Sequence, residues 1–194
     1  MKIINKCMFC FVVSAIFYTV NTNTVFAWSR GPKAYRTGAP GDKTCNANNC
    51  HNSFGLNSGT ATFSINAPAV YVPGQTIRIK VSFSNTTGIR HGFEMTAVDD
   101  ATGKRVGTFK RKNKLDKTTQ VIPPGDLRGL KIADKGTYIE HTLAGTKQTS
   151  WKVRWKAPIG AESITFYATG NDANGDKSPL NDFIYLARRN IIAQ

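Results

Sequence analysis

Ile77-Arg78-Ile79-Lys80-Val81-Ser82-Phe83 alternates apolar and polar side chains without a break. Successive side chains of a strand point to opposite faces, so this run offers one face to a core and one to water. The same texture appears upstream in Thr60-Ala61-Thr62-Phe63-Ser64-Ile65. It returns in Trp151-Lys152-Val153-Arg154-Trp155-Lys156, where two tryptophans and a valine share one face and three cations the other. Further strands are expected over residues 91–98, 106–109, 138–142, 164–168 and 183–187. Turn formers separate them at Pro73-Gly74, residues 100–103, Pro123-Pro124-Gly125, and residues 134–136, 158–160 and 171–176. No comparable stretch carries a helical period. Short strands at regular turn spacing predict an antiparallel β-sandwich of about seven to nine strands over residues 58–194, one domain without internal repeats.

The chain has 194 residues, with 26 Lys+Arg against 12 Asp+Glu and a formal charge of +14. A hydrophobic share of 40% is enough for a packed core and excludes a wholly disordered chain. Lys2 and Lys6, the apolar run 8–18 and Val25-Phe26-Ala27 have the form of a signal peptide over residues 1–27. The apolar run is short for a spanning helix, and an uncleaved anchor is the lesser alternative; after cleavage no transmembrane span is expected. Cleavage leaves 24 basic and 12 acidic residues and removes Cys7 and Cys10. Cys45 and Cys50 then sit in an oxidising compartment, where thiols rarely stay unreacted. The destination is exported: periplasm, outer envelope or extracellular space of a Gram-negative-type bacterium. Residues 28–57, rich in Gly, Pro, Asn and Lys, read as a loop-like N-terminal extension.

That extension holds Cys45-Asn46-Ala47-Asn48-Asn49-Cys50-His51. Two cysteines with a histidine directly after the second are the attachment pattern of haem c. Cys45 and Cys50 would add to the vinyl groups, and His51 would be the proximal iron ligand. The common spacing has two residues between the cysteines; here there are four, which asparagine-rich backbone accommodates in a bulge. A Cys45–Cys50 disulfide is equally simple chemistry but leaves His51 unexplained. A zinc site is a third reading. If haem is held, the distal ligand comes from His141 first, then Met95, then His91; His141 shares a strand face with Ile139, and Met95 shares one with His91 and Phe93. Six-coordinate iron favours electron transfer over gas binding. Asp172-Ala173-Asn174-Gly175-Asp176 reads as a hairpin loop, because it lacks the register of a calcium loop.

Longer stretches carry a resemblance. Thr37-Gly38-Ala39-Pro40-Gly41-Asp42-Lys43-Thr44-Cys45, Cys50-His51, Tyr71-Val72-Pro73-Gly74-Gln75-Thr76, Gly92-Phe93-Glu94-Met95-Thr96-Ala97, Glu140-His141-Thr142 and Phe166-Tyr167-Ala168-Thr169-Gly170-Asn171 occur in the order of bacterial choice-of-anchor V domains, relatives of the Reeler domain. The chain resembles that family over nearly all of its mature length. The resemblance implies an immunoglobulin-like, Reeler-like β-sandwich. It also implies a Cys-His pair kept together while the cysteine spacing varies, which suits haem better than a disulfide. His141 matches the family's histidine-threonine position. The expectation is an exported monohaem c-type cytochrome-like protein for electron transfer or redox sensing. The alternative is a non-catalytic binding or structural module of the cell envelope, such as an accessory subunit of an envelope complex, with a Cys45–Cys50 disulfide.

Lys104, Arg105, Lys110, Arg111, Lys112, Lys114 and Lys117 crowd one segment, with Asp116 its single acid. Export and the lack of interleaved aromatics speak against nucleic acid. An acidic redox partner or an anionic envelope surface fits this charge. No nucleophile–base constellation, paired-carboxylate site or phosphate-binding glycine loop is legible, so no enzyme is expected.

Overall fold

The computed structural model describes residues 28–47, 50–125 and 127–194. The expected signal peptide, with Cys7 and Cys10, lies outside the described residues, as do Asn48 and Asn49 of the cysteine spacer. Among the described residues there are ten strands: β1 (Thr62–Asn66), β2 (Val70–Tyr71), β3 (Thr76–Ser84), β4 (Arg90–Asp99), β5 (Thr108–Arg111), β6 (Thr119–Val121), β7 (Tyr138–His141), β8 (Ser150–Lys156), β9 (Ser163–Ala173) and β10 (Phe183–Ala193). Short 3₁₀ turns occupy Ile132–Asp134 and Ala144–Lys147. None of the described helices is long and apolar enough to cross a membrane.

The strands form two sheets, β1-β3-β8-β5 and β2-β10-β9-β4-β7-β6. Every named pair is antiparallel except β10 with β2, which is parallel, so the sandwich is mixed at one edge. The alternating runs become β3 and β8, paired so that Val81 faces Trp151 and Ile79 faces Val153. Their apolar faces meet Phe93, Met95 and Ala97 of β4 and Phe166 and Ala168 of β9 in one core. Phe93 and Trp151 lie 4.8 Å apart, and Trp155 meets Phe166 edge-on at 5.0 Å. Both indole N–H groups donate within the protein, Trp151 to the Gly145 carbonyl at 3.1 Å and Trp155 to that of Val106 at 3.2 Å. Each tryptophan thus buries its ring without an unpaired donor, a contribution of about 3–5 kcal/mol against alanine.

Three boundaries differ from expectation. The expected strand at 106–109 starts later, as β5, because the Val106 N–H is taken by the Ala97 carbonyl at 3.0 Å. β9 runs on to Ala173 and β10 to Ala193, held to each other along ten register positions. The short β2 and β6 bring the total above the expected number.

The six-stranded sheet is covered on both faces at β4 and β7, while the outer face of β10 opens to solvent at Arg188, Asn190 and Ile192. One face packs on β3 and β8; across the other lies the N-terminal extension, which has no strand or helix among its described residues. The Ala34 N–H donates to the Arg128 carbonyl at 2.9 Å, and the Asn57 N–H to that of Ile184 at 2.9 Å. Asn57 Oδ1 accepts the Leu186 N–H at 2.9 Å. Asp42 is clasped by the Arg105 guanidinium and by the Tyr138 hydroxyl at 3.1 Å. Tyr35 stands edge-on to Tyr138 at 5.2 Å. This strap explains why eight consecutive residues of β4, 91–98, are buried without alternation.

Core packing gives a direct test. A Cβ on Gly170 would fall 2.5 Å from Phe83 Cζ and 2.8 Å from the Phe63 ring, both buried. Gly170→Ala is expected to lower unfolding free energy by about 1–3 kcal/mol, measured by urea denaturation; a change within error would show that the two rings yield without strain.

Candidate functional site

The cysteine segment turns back on itself. Ala47 N–H donates to the Thr44 carbonyl at 3.1 Å, Cys50 N–H to that of Ala47 at 3.4 Å, and His51 N–H to that of Cys45 at 3.1 Å. These bonds bring Cys45 and His51 together on the strap. Cys45 and Cys50 stand as two thiols, each half-buried. Cys45 keeps some exposed surface yet is densely enclosed, and this burial, with the nearby Glu94 charge next, pushes its thiol far above the ordinary range.

His51 is held from below. Its Nδ1 lies 2.8 Å from Asp182 Oδ2, and Asp182 is almost wholly buried in the loop before β10. The same carboxylate accepts Asn171 Nδ2 at 3.2 Å and the Asn174 N–H at 3.1 Å. In the neutral ring, donation to this carboxylate places the proton on Nδ1 and leaves the lone pair on Nε2. This is the arrangement that orients a metal-bound imidazole.

His141 ends β7 and is buried. Its Nδ1 sits 3.0 Å from the Phe93 nitrogen and 3.1 Å from the Phe93 carbonyl oxygen. Burial pushes its pKa down to about 4, so the ring is neutral at ordinary pH. A Cβ on Gly92 would come 2.6 Å from this ring; only glycine leaves it that space. Gly92 pairs in register with Asn171, whose Nδ2 lies 3.4 Å from His51 Nδ1. The two histidines therefore adjoin one cross-strand pair, from opposite sides.

The other distal candidates lie elsewhere. Met95 is fully buried in the core between the sheets, beside Ile139 and Ala168 in register. Strand alternation sends it to the face away from the strap and its cysteine segment. His91 shares that face: its Nε2 lies 3.0 Å from Asp172 Oδ1 and its ring packs 5.5 Å from Phe83.

Sequence reasoning missed a paired-carboxylate site. Glu94 and Glu140 lie directly opposite each other on β4 and β7, both with no exposed surface, on the strap side. Glu140 Oε1 receives the Arg128 guanidinium at 2.8 Å and Gln120 Nε2 at 2.7 Å. Glu94 Oε1 receives the Tyr35 N–H of the strap at 3.0 Å. Burial, and then the Glu140 charge, push the Glu94 carboxyl well above the usual range. Glu94 Oε2, Thr169 Oγ1 opposite it and Asn171 Oδ1 are buried polar atoms without a partner among the described residues. A signal existed: Glu94 and Glu140 are the single carboxylates of the expected strands 91–98 and 138–142, and a lone buried carboxylate is expensive. No three or more His, Cys, Asp or Glu side chains among the described residues are arranged to hold a metal ion by themselves.

A family model described as the Reeler domain matches residues 43–171, about two thirds of the chain. The chain belongs to the Reeler domain family. The match takes in Cys45, Cys50, His51, Glu94, Glu140, His141 and Asn171, while Asp182 lies beyond it. No curated protein matches the chain.

The carboxylate pair predicts a pH signature. Because the folded-state pKa of Glu94 is raised, its contribution to stability is full below the ordinary value of 4.5 and is lost as pH rises toward the folded value. The slope is at most about 1.4 kcal/mol per pH unit for one proton. Glu94→Gln should flatten unfolding free energy against pH above that value, read from denaturant melts at successive pH. Parallel curves for the two proteins would show that Glu94 titrates alike folded and unfolded.

Proposed function

We propose that this Reeler-domain protein is an exported, monohaem c-type cytochrome-like β-sandwich that serves electron transfer or redox sensing. The observation that carries the reading is the Asp182–His51 bond, which occupies Nδ1 and leaves Nε2 for iron. The donor set fits haem c: two thiols on one turned segment, an imidazole in the metal-binding tautomer beside the second, and a second neutral imidazole on the same cross-strand pair. Cys45 and Cys50 would carry the covalent links, His51 the proximal position and His141 the distal one. Haem, when bound, supplies a one-electron couple.

The chain's own residues do the rest. Asp182 fixes the His51 tautomer and makes its Nε2 a stronger donor. When His141 Nδ1–H donates to the Phe93 carbonyl, its Nε2 also presents a lone pair. Gly92 leaves room for that ring. Export to an oxidising envelope compartment, and the finer kinship with choice-of-anchor V domains, belong to the same reading. A second reading has one observation in its favour. The His51-to-Cys45 backbone bond closes the segment tightly, as a Cys45–Cys50 disulfide in a non-catalytic envelope module would require.

Export in a host with a working haem-attachment system tests this. A reduced-minus-oxidised haem spectrum that survives acid–acetone extraction is expected, lost in Cys45→Ala and Cys50→Ala. Asp182→Asn should retain covalent haem but shift its potential, because the imidazole loses its charged partner. A colourless protein with Cys45 and Cys50 oxidised to each other would overturn the cytochrome reading and establish the module.

A further inference from the structure

We propose that the groove between the edge strands β5 and β6 is a docking site for an extended, acidic segment of a partner protein. The proposal is independent of the haem reading. β5 ends the four-stranded sheet and β6 ends the six-stranded one, and the two face each other across the open side of the sandwich. Between them runs a groove of about 540 Å³ walled by Lys110, Arg111, Lys114, Lys117 and Arg154. Through Lys117 and Thr142 it continues into a second hollow of about 560 Å³, which adds Arg90 and Lys147. Among the described lining residues no side chain carries a carboxylate.

The cations are partly set in place. An Arg111 guanidinium nitrogen donates to the Asp116 carbonyl at 2.8 Å, and Arg154 Nε donates to the Arg111 carbonyl at 3.2 Å. Each guanidinium keeps further N–H groups directed elsewhere. Asp116 does not neutralise the groove from its surface: it is buried, and its carboxylate accepts from Thr118 and Thr119 within its own loop. Phe109 and Val121 supply an apolar floor.

These features select an occupant. Edge strands are templates for another strand; the Phe109 N–H of β5 is already taken by the Gly136 carbonyl at 2.8 Å, so main-chain pairing falls to β6, and lysines along the groove repel a second copy of a chain carrying +14. The same lysines complement a strand whose alternate side chains are carboxylates, which would add main-chain pairing to charge pairing. A bilayer surface or a polysaccharide would use the charge and leave the strand edges unused.

The probe is a capped peptide of about ten residues alternating glutamate and threonine, titrated against the exported protein by calorimetry. Binding is expected to weaken steeply with salt. It should fall about tenfold or more in the triple variant Lys110→Glu, Lys114→Glu and Lys117→Glu. Lys114→Glu alone, at an exposed loop position, should give part of the same loss, which guards against a folding defect in the triple. Amide exchange should slow over residues 119–121 on binding. Absence of binding, binding equal in wild type and variants, or protection confined to other strands would overturn the proposal. Binding to phosphatidylglycerol vesicles without binding to the peptide would overturn it in favour of a membrane surface.

Discussion

At β4 and β7 the six-stranded sheet has both faces closed, and most of the molecule follows from that constraint. A sandwich sheet usually packs one face and wets the other. Here β4 is buried over eight consecutive residues, so its second face had to find partners for Glu94, Thr96 and the neighbouring Glu140. Most of those partners come from outside the sheet: Arg128 for Glu140, joined by Gln120 of β6, the strap's Tyr35 N–H for Glu94, and Arg105 and Asp42, which close on Tyr138 of β7. The strap has no strand of its own among its described residues. What keeps it in place is the demand of buried polar groups for hydrogen bonds.

How much of this was legible depended on exposure. β3 and β8 were plain in the sequence because each has one wet face, and a wet face writes polar residues at every second position. β4 showed only its β-rich composition, since a strand buried on both faces does not alternate. β2 and β6 have two and three residues and exist as strands only through pairing to β10 and β7, which no local pattern records. The far half of β10 carries Arg188, Arg189 and Asn190, beyond the strand expected at 183–187; pairing with β9 extends the strand through them.

The site divides in the same way. Cys45, Cys50 and His51 were visible because their relation is local. Asp182 lies 131 residues from His51, and the Glu94–Glu140 pairing rests on the β4–β7 register. Neither partner could be read from spacing. Met95 shows the hazard in reverse: it belongs to the same strand as Glu94 and Gly92 but to the other face. A methionine in a strand is core by default, and here the default holds.

The alternation that separates Met95 from Glu94 also fixes the site's geometry. In one row across the sheet Ile139, Met95 and Ala168 face the core; in the adjacent row Glu140, Glu94 and Thr169 face the strap. A slip of one residue in β4 would exchange the rows and carry Glu94 in among Trp151 and Phe166. A carboxylate there would lack every donor it now has, and each such burial costs several kcal/mol. The core loses as much again by exposing Phe93 and Met95. Register is therefore set by the hydrophobic face, where the most side chains are at stake, and the polar face inherits it. The positions of Gly92 between His141 and Asn171, and of Glu94 opposite Glu140, rest on aromatic packing one layer away rather than on any bond within the site.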